Sequence, residues 1–223
     1  MIYAVWLDEE INSDNEGYVA RDVGGKCIGK TNGAKIQHDA AWKLFEYVLK
    51  KEYGVELSSC NISRNRWGKP SLEEYPDIHF SISHNKNMAA CVISDDEVGI
   101  DIETVGRTCS ETVWRRMLSD EEYKRLSTMP DENERNREFL KYWTLKESYG
   151  KAIGTGLSYD YKSVVFDIND VGIVCNVPDY RLWQSVVKKN DEEFVISVCK
   201  KQTINFTESI EWVKLTGGEA YEA

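Results

Sequence analysis

No stretch of the 223-residue chain approaches the apolar length of a membrane span, so no membrane partner is expected. The opening residues, Met1-Ile2-Tyr3-Ala4-Val5-Trp6-Leu7-Asp8, lack the basic segment and cleavage site of a secretory leader and are expected to form a first strand. Six cysteines, at 27, 60, 91, 109, 175 and 199, show no CxxC spacing. Neither a zinc site nor a disulfide framework is indicated, and a reducing cytoplasm is the expected setting. Basic charge is also short: 28 Lys and Arg stand against 38 Asp and Glu, a formal net charge of −10. That balance argues against a nucleic-acid partner, because binding a phosphate backbone needs a basic face.

What remains is an ordinary globular composition, 41% apolar and 30% charged, in a chain long enough to bury a core as one domain or two small ones. Apolar positions Ala40, Ala41, Leu44, Phe45, Val48 and Leu49 follow helical spacing and predict a helix over about 35–52, with Gly54 as its C-cap. Short strands are expected near 61–66, 78–83 and 88–94. The acidic turn Asp95-Asp96-Glu97 then divides the chain into units 1–97 and 98–223. The second unit is expected to hold a strand through Asp101 and Glu103, helices near 110–127 and 133–153, and strands near 162–168, 172–177, 181–187 and 194–199. Residues 216–223 read as a loosely held tail.

Two motifs carry the chemistry. In Val98-Gly99-Ile100-Asp101-Ile102-Glu103 the carboxylates sit two apart, so a strand projects both from one face while Ile100 and Ile102 enter the core. Two adjacent anions repel unless a cation joins them. In Trp143-Thr144-Leu145-Lys146-Glu147-Ser148-Tyr149-Gly150-Lys151, Glu147 and Lys151 lie one helical turn apart and share a face, which sets a hard oxygen ligand beside a phosphate-binding cation.

With these two, the blocks Trp67-Gly68-Lys69-Pro70 and Phe80-Ser81-Ile82-Ser83-His84-Asn85 occur in an order and at gaps that resemble the larger, surfactin-synthetase-activating type of 4′-phosphopantetheinyl transferase. The resemblance implies an α+β fold of two pseudo-symmetric subdomains, each a helix packed on a small, mostly antiparallel sheet, with the active site at their junction. It further implies transfer of the 4′-phosphopantetheine arm of coenzyme A to a serine hydroxyl of an apo acyl or peptidyl carrier protein, with release of adenosine 3′,5′-bisphosphate. Asp101, Glu103 and Glu147 match the family's metal ligands, with Mg²⁺ the expected ion and Mn²⁺ its alternative. Glu147 is also assigned as base, and Lys151 as the cation beside the departing phosphate. Lys69, Ser83, His84, Lys146 and Lys151 are assigned to coenzyme A. A monomer is expected, since the larger type carries both halves of its site.

Where family members carry a basic cluster in the N-terminal third, this chain offers Lys26, Lys30 and Lys35, then His38 and Lys43. Met117-Leu118-Ser119-Asp120-Glu121-Glu122-Tyr123 resembles a further family block. Ser119 reads there as a helix N-cap and Glu122 as its capping-box partner, with a place in the site as the alternative. Arg115, Arg116, Lys124 and Arg125 are either a local basic face for an acidic carrier or a solvated helix surface. Trp143 is expected to pack between the subdomains. Two other functions compete: a metal-dependent pyrophosphohydrolase acting on coenzyme A or a nucleotide, for which no hydrolase motif is present, and a noncatalytic carrier-protein or coenzyme A binding module.

Overall fold

The computed structural model describes residues 1–7, 32–169, 172–201, 209–216 and 219–222. Lys26 and Lys30, two of the expected phosphate-binding cations, lie outside the described residues. The chain forms two compact units, one of residues 1–96 with 204–223 and the other of 97–203. The helices and small, mostly antiparallel sheets make an α+β fold. No described helix is long and apolar enough to cross a membrane.

The first unit contains β1 (Ile2–Trp6), α1 (Asn32–Tyr53), β2 (Ile62–Arg64), β3 (Pro70–Leu72), β4 (His79–His84) and β5 (Met88–Ser94). Helix α1 buries the six apolar residues expected from its periodicity against Tyr3, Val5, Phe80, Cys91 and Ile93. Phe45 stacks on Phe80 with ring centroids 3.8 Å apart. Gly54, at φ +67°, closes the helix by donating its N–H to the Lys50 carbonyl, a conformation that favours glycine.

The second unit contains β6 (Val98–Thr104), α2 (Glu111–Met117), α3 (Asp120–Ser127), α4 (Glu132–Ala152), β7 (Phe166–Asn169), β8 (Gly172–Cys175), β9 (Tyr180–Lys189) and β10 (Glu192–Lys201). Strand β10 lies between β6 and β9, and α4 packs on this sheet. The single helix expected over 110–127 is broken in two. Ser119 accepts the Glu122 N–H, Glu122 accepts the Ser119 N–H, and this reciprocal cap starts a new helix after the extended Leu118. A buried polar knot ties α4 to the sheet: Thr144 Oγ1 meets Ser197 Oγ at 2.7 Å, and the Gln184 amide donates to Ser197 Oγ at 2.8 Å.

The chain then returns to the first unit as β11 (Ile210–Thr216) and β12 (Glu219–Glu222), giving the sheet order β12-β11-β1-β5-β4. Residues 204–223 therefore belong with the first unit, not with the second as the expected 98–223 division had it. The reason is the parallel pairing of β1 with β11, Ile2 opposite Ile210 through Val5 opposite Val213. A pairing across the whole chain leaves no local signal. The tail expected to be loose instead adds a strand, Val213 opposite Glu222 through Thr216 opposite Glu219.

The approach of β6 to α4 depends on Gly99. A Cβ built there would lie 2.0 Å from the Ser148 carbonyl oxygen and 2.5 Å from the Ala152 amide nitrogen, both backbone atoms that cannot swing aside. Gly99→Ala is therefore expected to cost about 3 kcal/mol or more, read as a lowered urea midpoint at unchanged slope. Gly33→Ala, where a Cβ meets nothing within 4 Å, should leave the midpoint unchanged or raised.

Candidate active site

Strand alternation and helical spacing bring together acidic residues that the sequence places on separate elements. On β6, Ile100 and Ile102 are buried in the core while Asp101 and Glu103 share the opposite face. Lys151, on the α4 face that packs against this strand, donates from Nζ to Asp101 Oδ1 at 2.8 Å and to the Ile100 carbonyl at 2.9 Å. One turn earlier, Glu147 Oε1 accepts the Tyr161 hydroxyl at 2.9 Å. Arg107 pairs with Glu103 and lays its guanidinium 5.3 Å from the Trp143 ring centre.

The electrostatics reflect this crowding. Burial first, then the Asp101 charge, raises the Glu103 carboxyl above its usual range, with Arg107 and Lys151 opposing. Burial, then the charges of Asp101 and Glu103, pushes Glu147 up to about 7 against the pull of Tyr161 and Lys151. Burial and the Glu147 charge hold the Tyr161 hydroxyl well above its ordinary range, so it remains a donor.

Among the described residues no three acidic, histidine or cysteine side chains converge closely enough to hold a metal ion as they stand. Asp101, Glu103 and Glu147 instead each accept a proton donor of the protein. The donor set nevertheless fits a hard divalent cation: three carboxylates, mutually repelling, with no soft ligand among them. Bringing them onto one ion requires Lys151 and Arg107 to yield oxygen lone pairs that they hold here.

Lys146 corrects the expectation that it contacts coenzyme A. Its side chain is fully buried, pairs with Glu122 at 2.9 Å, and donates to the Tyr161 carbonyl at 2.8 Å and the Val164 carbonyl at 2.6 Å. Burial lowers its pKa and Glu122 pulls it back up. Glu122 is committed as well: Oε2 accepts the Ser119 N–H, and Oε1 accepts the Phe166 N–H at 2.8 Å. Trp143 packs in the second unit's own core, tilted on Phe139 at 5.9 Å between ring centres.

The first unit supplies its candidates separately. Lys69 follows Gly68, whose φ of +91° turns the β2-β3 hairpin, and Asn65 Oδ1 fixes that turn by accepting the Trp67 and Lys69 N–H groups. Ser83 and His84 end β4, followed by a turn in which Asn85 Oδ1 accepts the Asn87 and Met88 N–H groups. Rings link His84 to His38 at 6.1 Å and His38 to Trp42 at 6.2 Å, and the Arg64 guanidinium sits 5.9 Å from the Trp42 ring centre. Sequence reasoning missed Arg64, Arg107 and Tyr161. Only Arg107 had a signal, four residues after Glu103. Of the four cations considered as a docking face, all are exposed, but Arg115 is paired with Glu111 and Arg125 with Asp167.

Residues 97–199, which include the carboxylates, Lys146 and Lys151, match the model of the 4′-phosphopantetheinyl transferase superfamily. A 4′-phosphopantetheinyl transferase of Bacillus subtilis is 27% identical over 210 residues, covering 89% of this chain and 91% of its own. The 4′-phosphopantetheinyl transferase Sfp of Bacillus subtilis strain 168 is 32% identical over 184 residues, covering 80% of this chain and 81% of its own. Among solved structures, a holo-(acyl-carrier-protein) synthase from Bacillus anthracis in complex with CoA (3′,5′-ADP) matches 48% of this chain and 96% of its own, at 18% identity and a TM-score of 0.37.

The burial of Lys146 makes a prediction that a ligand contact would not. Lys146→Met leaves Glu122 charged in the core and should lower stability by about 3 kcal/mol or more. Pairing it with Glu122→Gln should recover part of that loss, measured by urea denaturation as a double-mutant cycle.

Proposed function

Because the chain belongs to the 4′-phosphopantetheinyl transferase superfamily, on its 32% identity to Sfp over 80% of its own length and 81% of that protein's, we propose that it moves the phosphopantetheine arm of coenzyme A onto a carrier-protein serine. Adenosine 3′,5′-bisphosphate leaves. The observation that carries this reading at the level of side chains is the Lys151 ammonium set on Asp101 beside Glu103 and Glu147.

The reaction replaces one P–O bond by another. The serine oxygen attacks the phosphorus that bears the pantetheine arm, the pyrophosphate bridge breaks, and the serine proton must be taken up. Glu147 is the proposed acceptor. Glu147 lies in the cluster that faces the phosphates in this reading, where a carboxylate oxygen can take up the serine proton. Lys151 is proposed to stabilise the charge that develops on the departing bisphosphate. A divalent ion, Mg²⁺ by the hardness of the donors, would be held by Asp101, Glu103 and Glu147; when bound it supplies charge neutralisation across the pyrophosphate and draws the Glu147 pKa down. Lys69, Ser83 and His84 are proposed for the nucleotide portion, with His38 and Arg64 as further cationic candidates of the same unit. The protein is proposed to act as a monomer in the cytoplasm.

Intact-protein mass spectrometry of an apo carrier protein, incubated with this protein, coenzyme A and Mg²⁺, should show the gain of one phosphopantetheine arm that chelator abolishes. Coenzyme A consumed without gain on several carriers would reassign the protein as a hydrolase, and no consumption would leave a binding module. Asp101→Ala should lose metal-dependent transfer while keeping its thermal midpoint. Lys151→Ala should lower kcat on the order of 10²-fold while changing coenzyme A affinity far less, because its charge matters most as the leaving group develops. A loss confined to affinity would make Lys151 a simple binding contact.

A further inference from the structure

The three acidic residues of the site are held in two different ways. Asp101 and Glu103 accept flexible cations, Lys151 and Arg107, whose side chains are 29% and 49% exposed. Glu147 accepts a neutral hydroxyl from a residue only 4% exposed. A cation placed there would compete with a divalent ion for the carboxylate charge. A hydroxyl occupies one lone pair and leaves the charge intact.

Tyr161 is also the best anchored of the three donors. It opens a short 3₁₀ turn, Tyr161–Ser163, which Asp160 caps by accepting the Lys162 N–H at 3.1 Å. Its carbonyl is pinned by the buried Lys146 ammonium, which pins the Val164 carbonyl too. The partner of that ammonium, Glu122, holds the Phe166 N–H. Residues 161–166 are thus bolted at three backbone points to one buried ion pair. The ring is fixed from the side by Tyr159, 4.3 Å away between ring centres, and Tyr159 itself donates to the Lys146 carbonyl at 2.7 Å.

From this arrangement we propose that Tyr161 is a positioning residue for phosphopantetheine transfer. Its hydroxyl fixes the Glu147 carboxylate, and the buried Lys146 and Glu122 pair acts on the site through it. The proposal rests on the function proposed above. It gives the motif lysine Lys146 a role without ligand contact, since its bonds to the Tyr161 and Val164 carbonyls support the turn that presents the hydroxyl. Partners that orient a metal-binding side chain typically change metal affinity or activity by about 10–100-fold when removed.

The test compares wild type with Tyr161→Phe, which removes one oxygen and keeps the ring. Four quantities are read: the thermal midpoint, kcat and KM for coenzyme A with an apo carrier protein, and Mn²⁺ binding in the presence of coenzyme A by electron paramagnetic resonance. Tyr161→Phe should keep its fold and its KM while kcat and Mn²⁺ affinity each fall about 10–100-fold. The same substitution in a Glu147→Gln background should change Mn²⁺ affinity by less than about twofold, because the group it acts through has gone. Wild-type kcat and Mn²⁺ affinity in Tyr161→Phe, or an equal loss in both backgrounds, overturns the proposal and leaves the function standing. No transfer by the wild type overturns the function instead, and the Mn²⁺ comparison then decides Tyr161 alone.

Discussion

The rest of the candidate site depends on how closely β6 can lie against α4. Helix and strand meet at Gly99, where hydrogen in place of a side chain lets the Ser148 carbonyl and the Ala152 amide press onto the strand backbone. At that distance Lys151 reaches both the Ile100 carbonyl and Asp101. Gly150 acts on the other side of the helix: a Cβ there would meet the Gly156 carbonyl at 2.7 Å and the Tyr159 ring at 2.9 Å. One glycine thus thins the strand where the helix packs on it, and the other thins the helix where the loop that leads to Tyr161 crosses it.

Bringing like charges together has an electrostatic cost, visible in the raised carboxyls of Glu103 and Glu147. The fold offsets it with donors of graded strength. Exposed or half-exposed cations sit on Asp101 and Glu103, and a rigid neutral donor sits on Glu147. The ion pair that is buried outright, Lys146 with Glu122, is kept among backbone partners, with each charge saturated by hydrogen bonds. Such pairs contribute little net stability against an apolar replacement, and their clearest use is to fix one arrangement of the chain around them. Here that arrangement is the run from Tyr161 to Phe166.

Local pattern made several elements legible from the chain. The helical spacing of Ala40 through Leu49 gave the buried face of α1. The alternation of Ile100, Asp101, Ile102 and Glu103 gave a strand with both acids on one side. Ser119 with Glu122 gave a capping box, and that cap is what splits the helix expected over 110–127. The pairing of β1 with β11 was not legible, because parallel neighbours two hundred residues apart share no turn and no period.

The site divides in the same way. The sequence by itself determined which residue types are available for phosphoryl transfer and which of them share a strand or helix face, because those relations are periodic within one element. Only tertiary structure decided which side chains meet. Lys146 and Lys151 stand five residues apart in one motif, yet one points into the core toward Glu122 and the other reaches Asp101, and the rotation of the helix about its axis is set by packing against the sheet. The same packing brought Tyr161 to Glu147 from a loop with no motif, since a contact made by folding back over a helix end leaves no spacing for the sequence to record.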